Sequence, residues 1–591
     1  MSTQSAEQQS KNHYDVAIIG GGPGGTTLGT LLRKYDPKMR VLILEKEKFP
    51  RDHVGESQLP RIGSILDEMG VWDKVEAANF PIKIGGTFKW GKTEELWDFD
   101  FLDSEAFRDE PRPSKFDGQR KFTAFQIDRA IFDTILLRHA EEAGVEVREE
   151  AQVTNVRREG DKITGFELKS GEVITAKYYV DASGHIGVLR RAMGVETEIP
   201  TRLQNIAVWY YWQNAEWATH IGTGGTRIQV MSVSDGWIWF IPLSPTRTSI
   251  GFVCPQEYYK KAGKSPEELY KEALSREPRI SALVKNATNE GKLYTTKDWS
   301  FVADRTYGDN WFLVGESAGF ADPILSAGMT LTHSGGRELA YVILELERGE
   351  HKAQWLKENY DFDQRSRVRQ HIRFADFWYA ANGQFTDLQA HCAEIAAEAG
   401  LKLTGQDAWK CIARGGFTHD TLDHIAIGSF DVNCMKQLAH IFGDMPQRWQ
   451  ITEYNLLKLN LTDAREEFVP AYAEGRIQKI RTYLKGVNRL HVVGVFDAVM
   501  QALRQASDVG TIYRLLQSSL SHLPKDVAAY LLQQCVQAME LMLNQGFIVG
   551  KLDKKKGTLK MRNEMWNKFI HPNIEPRPED AIAPTNAPAA G

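Results

Sequence analysis

Tyr14-Asp15-Val16-Ala17-Ile18-Ile19-Gly20-Gly21-Gly22-Pro23-Gly24-Gly25 is the stretch on which the fold turns. A short apolar run ends in glycines, a helix-compatible stretch follows to Arg33, Asp36-Pro37 marks a turn, and a second apolar run covers Val41 to Leu44. Strand, glycine turn, helix and strand in that order open a parallel sheet. The glycines let the turn pass close to a pyrophosphate, whose charge rests on backbone N–H groups at the following helix N-terminus. Glu45 closes the second strand at the distance where a ribose hydroxyl is met. Gly20, Gly22, Gly25 and Glu45 are therefore candidate nucleotide-binding residues, although these glycines alone do not separate NAD from FAD.

Outward from this unit, apolar residues recur at helical spacing from Asp128 to Ala143, with Gly144 as a stop. Strand-like runs follow at Val145 to Arg148, Val153 to Val156, Ile163 to Leu168 and Val173 to Val180. Between Ile206 and Cys254 aromatic and β-branched residues broken by glycines predict an antiparallel sheet. Ser265-Pro266-Glu267-Glu268 has the order of an N-cap, a first-turn proline and acidic residues, and predicts a helix running to Arg276. From about Glu338 the pattern is mainly helical, with an aromatic cluster at Phe374, Phe377, Trp378 and Tyr379 and a late helix from Pro524 to Leu543.

The chain has 591 residues, enough for about three to four domains. Its net charge of -5 gives no field that gathers phosphates, so nucleic acid and anionic membrane surfaces are not expected partners. Five cysteines, Cys254, Cys392, Cys411, Cys434 and Cys535, contain no Cys-x-x-Cys pair, which argues against a disulfide framework or a zinc site and fits a reducing cytoplasm. Met1 to Lys11 is polar, without the apolar stretch of a signal peptide, and no segment offers about eighteen continuous apolar residues. A soluble protein is expected.

Two later segments repeat the strand-then-glycine pattern: Tyr178 to Val180 followed by Asp181-Ala182-Ser183-Gly184, and Trp311 to Gly319 with Gly315-Glu316 at its turn. Both resemble the additional FAD-contacting segments of the flavoprotein monooxygenase superfamily, and the resemblance implies FAD. The adenine half would lie near Gly20 to Gly25 and the ring half near Gly315 to Gly328. Superfamily members usually carry Gly-Asp where this chain has Gly315-Glu316, one methylene longer, and a glutamate still accepts a hydrogen bond from a ribityl hydroxyl.

Four further stretches narrow the resemblance to flavin-dependent halogenases over about residues 14 to 345: Gly55-Glu56-Ser57, Lys83 to Gly91, Trp237-Ile238-Trp239-Phe240-Ile241-Pro242, and Phe320-Ala321-Asp322-Pro323-Ile324-Leu325-Ser326-Ala327-Gly328. The last matches the family pattern Phe-x-x-Pro-x-x-Ser-x-Gly at every defined position. The resemblance implies that halide, chloride or bromide, is oxidised at reduced FAD by O2. The hypohalous acid then crosses an internal passage to a lysine that directs halogen to an electron-rich arene. Lys83 takes that role by resemblance; Lys89, Lys92 or a structural role are the competing readings. A lysine can donate a hydrogen bond to hypohalous acid or, once burial makes it neutral, attack it.

Trp237 and Trp239, two apart on a strand, face one side, where with Pro242 they would wall the flavin region against direct hydroxylation; an ordinary packed pair is the alternative. Backbone N–H groups around Ser326, Ala327 and Gly328 would bind halide, a structural turn being the competing reading. Glu56, Arg129, Asp181, Gly315, Glu316, Pro323 and Gly328 complete the implied cofactor set, with a capping carboxylate and a salt-bridged helix residue as alternatives for Glu56 and Arg129. Leu325 stands where halogenases of free tryptophan commonly carry glutamate, which favours phenols, pyrroles or related arenes, free or carrier-tethered.

The expected fold is α/β: an FAD-binding Rossmann-like domain (12–80, 120–200 and 295–350), an inserted antiparallel substrate sheet (81–119 and 201–294), a C-terminal helical region (351–574) and a loose tail (575–591). No second dinucleotide fingerprint is present, so a separate flavin reductase is the expected electron source. The helical region would cover the substrate pocket or mediate dimerisation, the protein being a monomer or homodimer. The other readings are a flavin monooxygenase or reductase on the same scaffold, and an inactive flavin-binding protein.

Overall fold

The strand His13–Ile19 and the strand Val41–Leu44 pair in parallel, Val16 opposite Val41 and Ile19 opposite Leu44. All four residues of the second are buried, as a strand covered on both faces requires. In the computed structural model, which describes residues 13–90, 94–199, 204–297, 300–381, 449–486, 488–560 and 570–573, this pair is the centre of a sheet. Parallel strands run from Glu146–Arg148 through Val41–Leu44, His13–Ile19 and Val173–Asp181 to Trp311–Leu313. Lys162–Leu168 and Val153–Glu159 extend it antiparallel beside the start of Val173–Asp181. The expected Rossmann-like order is thus present, and the strands end together at Gly20, Ala182 and Val314.

Helix Pro23–Tyr35 starts directly at the glycine turn, with proline in its first turn and Gly22 as N-cap. It crosses helix Gly328–Arg348, where a side chain on Gly336 would come within 2.7 Å of the Gly24 carbonyl. Thr27 Oγ1 and His333 Nδ1, 2.8 Å apart, tie the same crossing. Helix Arg129–Glu142 has Asp128 as its N-cap, the carboxylate accepting from the Ala130 amide at 3.0 Å.

A second sheet carries Asn205–Gln213, Arg247–Pro255, Gly236–Pro242 and Gly225–Val233 as antiparallel neighbours in that order. Ile82–Lys89 then joins it alongside Gly225–Val233, and Leu96–Asp100 follows. The junction of Ile82–Lys89 with Gly225–Val233 is parallel, so the sheet expected to be antiparallel is mixed: a strand arriving from far away in sequence is not bound to hairpin geometry. Helix Pro266–Arg276 starts with the expected capping, as a full capping box between Ser265 and Glu268.

The chain divides into two compact units, Met1–Asp376 with Pro572–Gly591, and Phe377–His571. In the first, helix Gly328–Arg348 is followed by the start of helix Ala353–Ala381, and Tyr360 donates to the Leu313 carbonyl at 2.8 Å. The second has helices Gly494–Gln505, Val509–Ser519 and Lys525–Asn544 around a core including Phe496, Leu503, Met539 and Phe547. It also contains strands that the helical reading did not include: a meander of Arg465–Ala473, Arg476–Lys485 and Asn488–His491, and a pair of Leu456–Leu459 with Ile548–Lys551. Glu474 and Gly475, both at positive φ (50° and 72°), make the two-residue turn of the meander's hairpin. The N-terminal stretch Met1 to Lys11, Cys392, Cys411, Cys434, the 575–591 tail and the side chains of Phe374, Phe377 and Trp378 lie outside the described residues.

Candidate active site

At the ends of the parallel strands a cavity of about 1130 Å³ extends from the glycine turn to the face of the second sheet. Its first end is built by absence of side chains. Gly20 has φ +107°, and a Cβ there would sit 2.3 Å from the Ala182 carbonyl oxygen. A Cβ on Gly25 would meet the Gly20 oxygen at 2.1 Å. Gly20, Gly22 and Gly24 line the cavity; Gly25 does not, and its part is to let the helix press on the turn. Glu45 lines the same end, Oε2 accepting from the Gly21 amide at 2.7 Å and Oε1 from the Glu47 amide at 2.9 Å. Each carboxylate oxygen retains acceptor capacity for a hydroxyl. Arg51, which the sequence reading did not single out, lines the cavity with a guanidinium nitrogen 3.5 Å from where a Cβ of Gly22 would be.

Arg129 and Glu316 line the middle of the cavity. The Arg129 guanidinium is bidentate on Asp133, both contacts at 2.8 Å, and also donates to the Val54 and Gly55 carbonyls. The salt-bridged helix residue and the cavity-lining residue are therefore one and the same. Burial raises the Glu316 carboxyl above the usual range, against the pull of the Arg129 charge. Gly315, at φ +64°, does not line the cavity but sets the turn that places Glu316.

Asp181 departs from its expected role. Its carboxylate accepts from the Ser183 amide and hydroxyl, the Leu189 amide at 2.7 Å and the Arg190 amide, and the residue does not line the cavity. A strand-end carboxylate facing four local donors serves the loop around Gly184 rather than a ligand.

Pro323, Ser326 and Gly328 line the cavity; Ala327 does not. Ser326 adopts the left-handed φ of 55°, and its amide donates to the Pro323 carbonyl at 2.9 Å, so that N–H is not one a halide would receive. The amides of Ala327 and Gly328 stand at the N-terminal opening of a 21-residue helix, where first-turn N–H groups have no partner within the helix.

On the far wall Trp237 and Trp239 line the cavity with ring centroids 6.0 Å apart, and Trp209 adds a third indole 6.2 Å from Trp239. Pro242 ends their strand and does not reach the cavity. Glu56 also lines it, and Tyr211 donates a 2.8 Å hydrogen bond to Glu56 Oε1. Burial pushes the Glu56 carboxyl up to about 7. Tyr211 and Trp209 were missed by the sequence reading although their i, i+2 spacing on an aromatic strand was a usable signal.

Lys83 sits in the strand Ile82–Lys89, 2% exposed, with its Nζ 5.5 Å from the centre of the Phe101 ring. It makes no ion pair or hydrogen bond among the described residues, and burial alone brings its ammonium down to about 7. It does not line the cavity that holds the tryptophans. Lys89, by contrast, is ion-paired with Glu277 and Glu94, and its pKa is raised. Lys92 lies outside the described residues.

A glycine turn at a helix N-terminus, closed to a Cβ at Gly20 and Gly25 and followed by an acceptor for a ribose hydroxyl, fits a dinucleotide, and the extent of the cavity to the indole wall fits a flavin beyond it. The class these features define is that of FAD-binding flavoproteins. Residues 15–109 and 109–393 match the family model of tryptophan halogenase, and the chain belongs to this family of flavin-dependent halogenases, oxidoreductases that work with FAD and halide. The tryptophan 2-halogenase of Chondromyces crocatus is 34% identical over 324 residues, 54% of this chain and 58% of that protein. The 1H-pyrrole-2-carbonyl-(peptidyl-carrier protein) chlorinase of Pseudomonas fluorescens is 31% identical over 390 residues, 64% of this chain and 86% of that one. Among solved structures, the myxobacterial chondrochloren halogenase CndH matches 73% of this chain and 96% of its own at 29% identity, with a TM-score of 0.58. The halogenase CmlS matches 93% and 98% with a TM-score of 0.69; at 22% identity that is a likeness of fold. No helix among the described residues is long and apolar enough to cross a membrane.

Proposed function

We propose that the protein halogenates an electron-rich, phenol-like arene, free or tethered to a carrier protein, with Lys83 as the residue that directs the halogen. The single observation carrying this is the state of Lys83: fully enclosed, facing an aromatic ring, and without any anion to keep it charged. An amine whose ammonium is brought down to about 7 is neutral in part at that pH, where its lone pair can meet hypohalous acid, and in its charged form it donates a hydrogen bond to it. Bound reduced FAD would supply two electrons to O2, which takes two more from the halide.

The chain's own residues would divide the remaining work. Gly20, Gly22, Glu45, Arg129 and Glu316 line the part of the cavity suited to the cofactor, and Trp237 and Trp239 wall it against a bulky arene. Gly328, which lines the cavity at the helix start, would offer its amide to the halide. A separate flavin reductase would provide reduced FAD in a cytoplasmic setting.

Mass spectrometry of phenolic substrates incubated with the protein, a flavin reductase, NADH, FAD and bromide tests the reading beside a Lys83→Ala sample. Brominated arene from the wild type and none from the variant is expected. Bromination at full rate in the variant would remove Lys83 from the mechanism, and hydroxylated product without bromine would favour a monooxygenase.

A further inference from the structure

Glu56 is a buried carboxyl for which the halogenation scheme above has no use. It is 2% exposed, and its backbone is fixed on both sides: Gly55 before it has φ +99°, and its own carbonyl accepts from the Ile127 amide at 2.8 Å. Oε1 accepts from the Tyr211 hydroxyl at 2.8 Å, while Oε2 makes no hydrogen bond among the described residues. Both Glu56 and Tyr211 line the same cavity as the glycine turn and the indole wall.

The charged groups packed around this carboxyl are already matched. Arg129, from the helix Arg129–Glu142, is bidentate on Asp133. Arg247, from the strand Arg247–Pro255, stacks 4.0 Å from the Tyr211 ring centre and reaches Asp128 at 2.7 Å and Glu290 at 3.0 Å. Asp128, the helix N-cap, adds a negative charge nearby. Glu56 therefore has a neutral donor as its one side-chain partner and no cation of its own, the arrangement in which a buried carboxyl keeps its proton.

Oxidation of halide at reduced flavin needs a proton. In balance, X⁻ + H⁺ + O2 + FADH2 gives HOX + FAD + H2O: the halide and the flavin each lose two electrons, O2 gains four, its O–O bond breaks, and one oxygen bonds the halogen while the other leaves as water. The geometry points to Glu56 as the donor of that proton, carried on Oε2 into the cavity, with Tyr211 as the positioning residue that fixes Oε1. The carboxylate left behind is reprotonated from solvent. This role rests on the halogenase reading and adds an acid to it.

Two measurements test it. Infrared titration of the FAD-free protein follows the C=O band of a protonated carboxyl. A band that persists to near neutral pH is expected, absent in Glu56→Gln and with its midpoint moved upward in Tyr211→Phe, because the lost hydroxyl had stabilised the carboxylate. With FAD, reductase and bromide, trapping of oxidised bromide by a soluble phenol should fall at least ten-fold in Glu56→Gln, and its alkaline limb should shift upward in Tyr211→Phe in step with the infrared midpoint. A wild type that oxidises bromide beside a Glu56→Gln variant that does so equally overturns the donor role alone, as does a wild-type-minus-Glu56→Gln difference spectrum with no C=O band titrating near neutral pH, the Glu316 carboxyl being common to both proteins. A band that behaves as expected in a wild type forming no oxidised bromide overturns the halogenase reading and the donor role with it.

Discussion

Trp239 lies across Gly251, its cross-strand partner, so closely that a Cβ on the glycine would stand 2.2 Å from the indole Cζ2. The missing side chain is the space the ring occupies, and the Nε1 donates to Ser249 Oγ at 3.1 Å to fix its orientation. The indole wall of the cavity is thus set by a glycine on the neighbouring strand. Gly251→Ala is expected to push the indole off its seat at a cost of about 1–3 kcal/mol, the range for overpacking a filled site. Tryptophan emission and the thermal midpoint would both move; an unchanged spectrum with unchanged stability would show that the ring has room to spare.

The turn at the other end of the cavity makes a sharper prediction. Gly25→Ala places a methyl 2.1 Å from the Gly20 carbonyl oxygen, and backbone cannot swing away as a flexible side chain does. The helix start must lift from the strand, carrying the amides that would receive a pyrophosphate. FAD affinity, measured by quenching of flavin fluorescence, should weaken about ten-fold or more, equivalent to about 1.4 kcal/mol. Retained affinity would place the pyrophosphate elsewhere.

The end at the glycine turn was legible because each element there announces itself locally: the apolar runs at 14–19 and 41–44 appear as strands His13–Ile19 and Val41–Leu44, and the helical spacing after Asp128 appears as helix Arg129–Glu142. What escaped depended on partners distant in sequence. The strand Ile82–Lys89 finds a parallel neighbour more than a hundred residues on, a pairing no local pattern carries. Tyr211 reaches Glu56 from 155 residues away. The meander at 465–491 alternates charged with apolar residues too loosely to display a strand period, as in Arg476–Lys485, of which few residues are buried. Asp181 misled for the opposite reason, since a carboxylate after a strand reads alike whether it meets a ligand or its own loop.

That loop gives the third prediction. Asp181 accepts from three backbone amides and the Ser183 hydroxyl while fully buried, so Asp181→Asn turns two acceptor positions into donors that face other donors. Unsatisfied buried donors cost about 1–3 kcal/mol. Denaturant midpoints should fall accordingly, with any loss of FAD affinity following from disorder around Gly184 rather than from a lost contact. A variant of full stability that fails only to bind FAD would return Asp181 to the cofactor.

Lys83 links the proposed chemistry to stability through pH. Its ammonium is brought down to about 7 from an ordinary value of 10.5 by burial alone, so the folded protein resists the charged form. Below pH 7 the lysine is charged in both states and folding bears the whole penalty. Between pH 7 and about 10.5 the unfolded chain binds the proton that the folded chain has released, and stability rises with pH. Lys83→Met keeps the volume and removes the titration, so it should stabilise the protein at pH 6 by on the order of a few kcal/mol, with the advantage shrinking toward pH 10. Urea unfolding of the two proteins across that range reads the difference directly. A constant difference would mean that Lys83 stays charged when buried, and the neutral amine on which its proposed role depends would not exist at working pH.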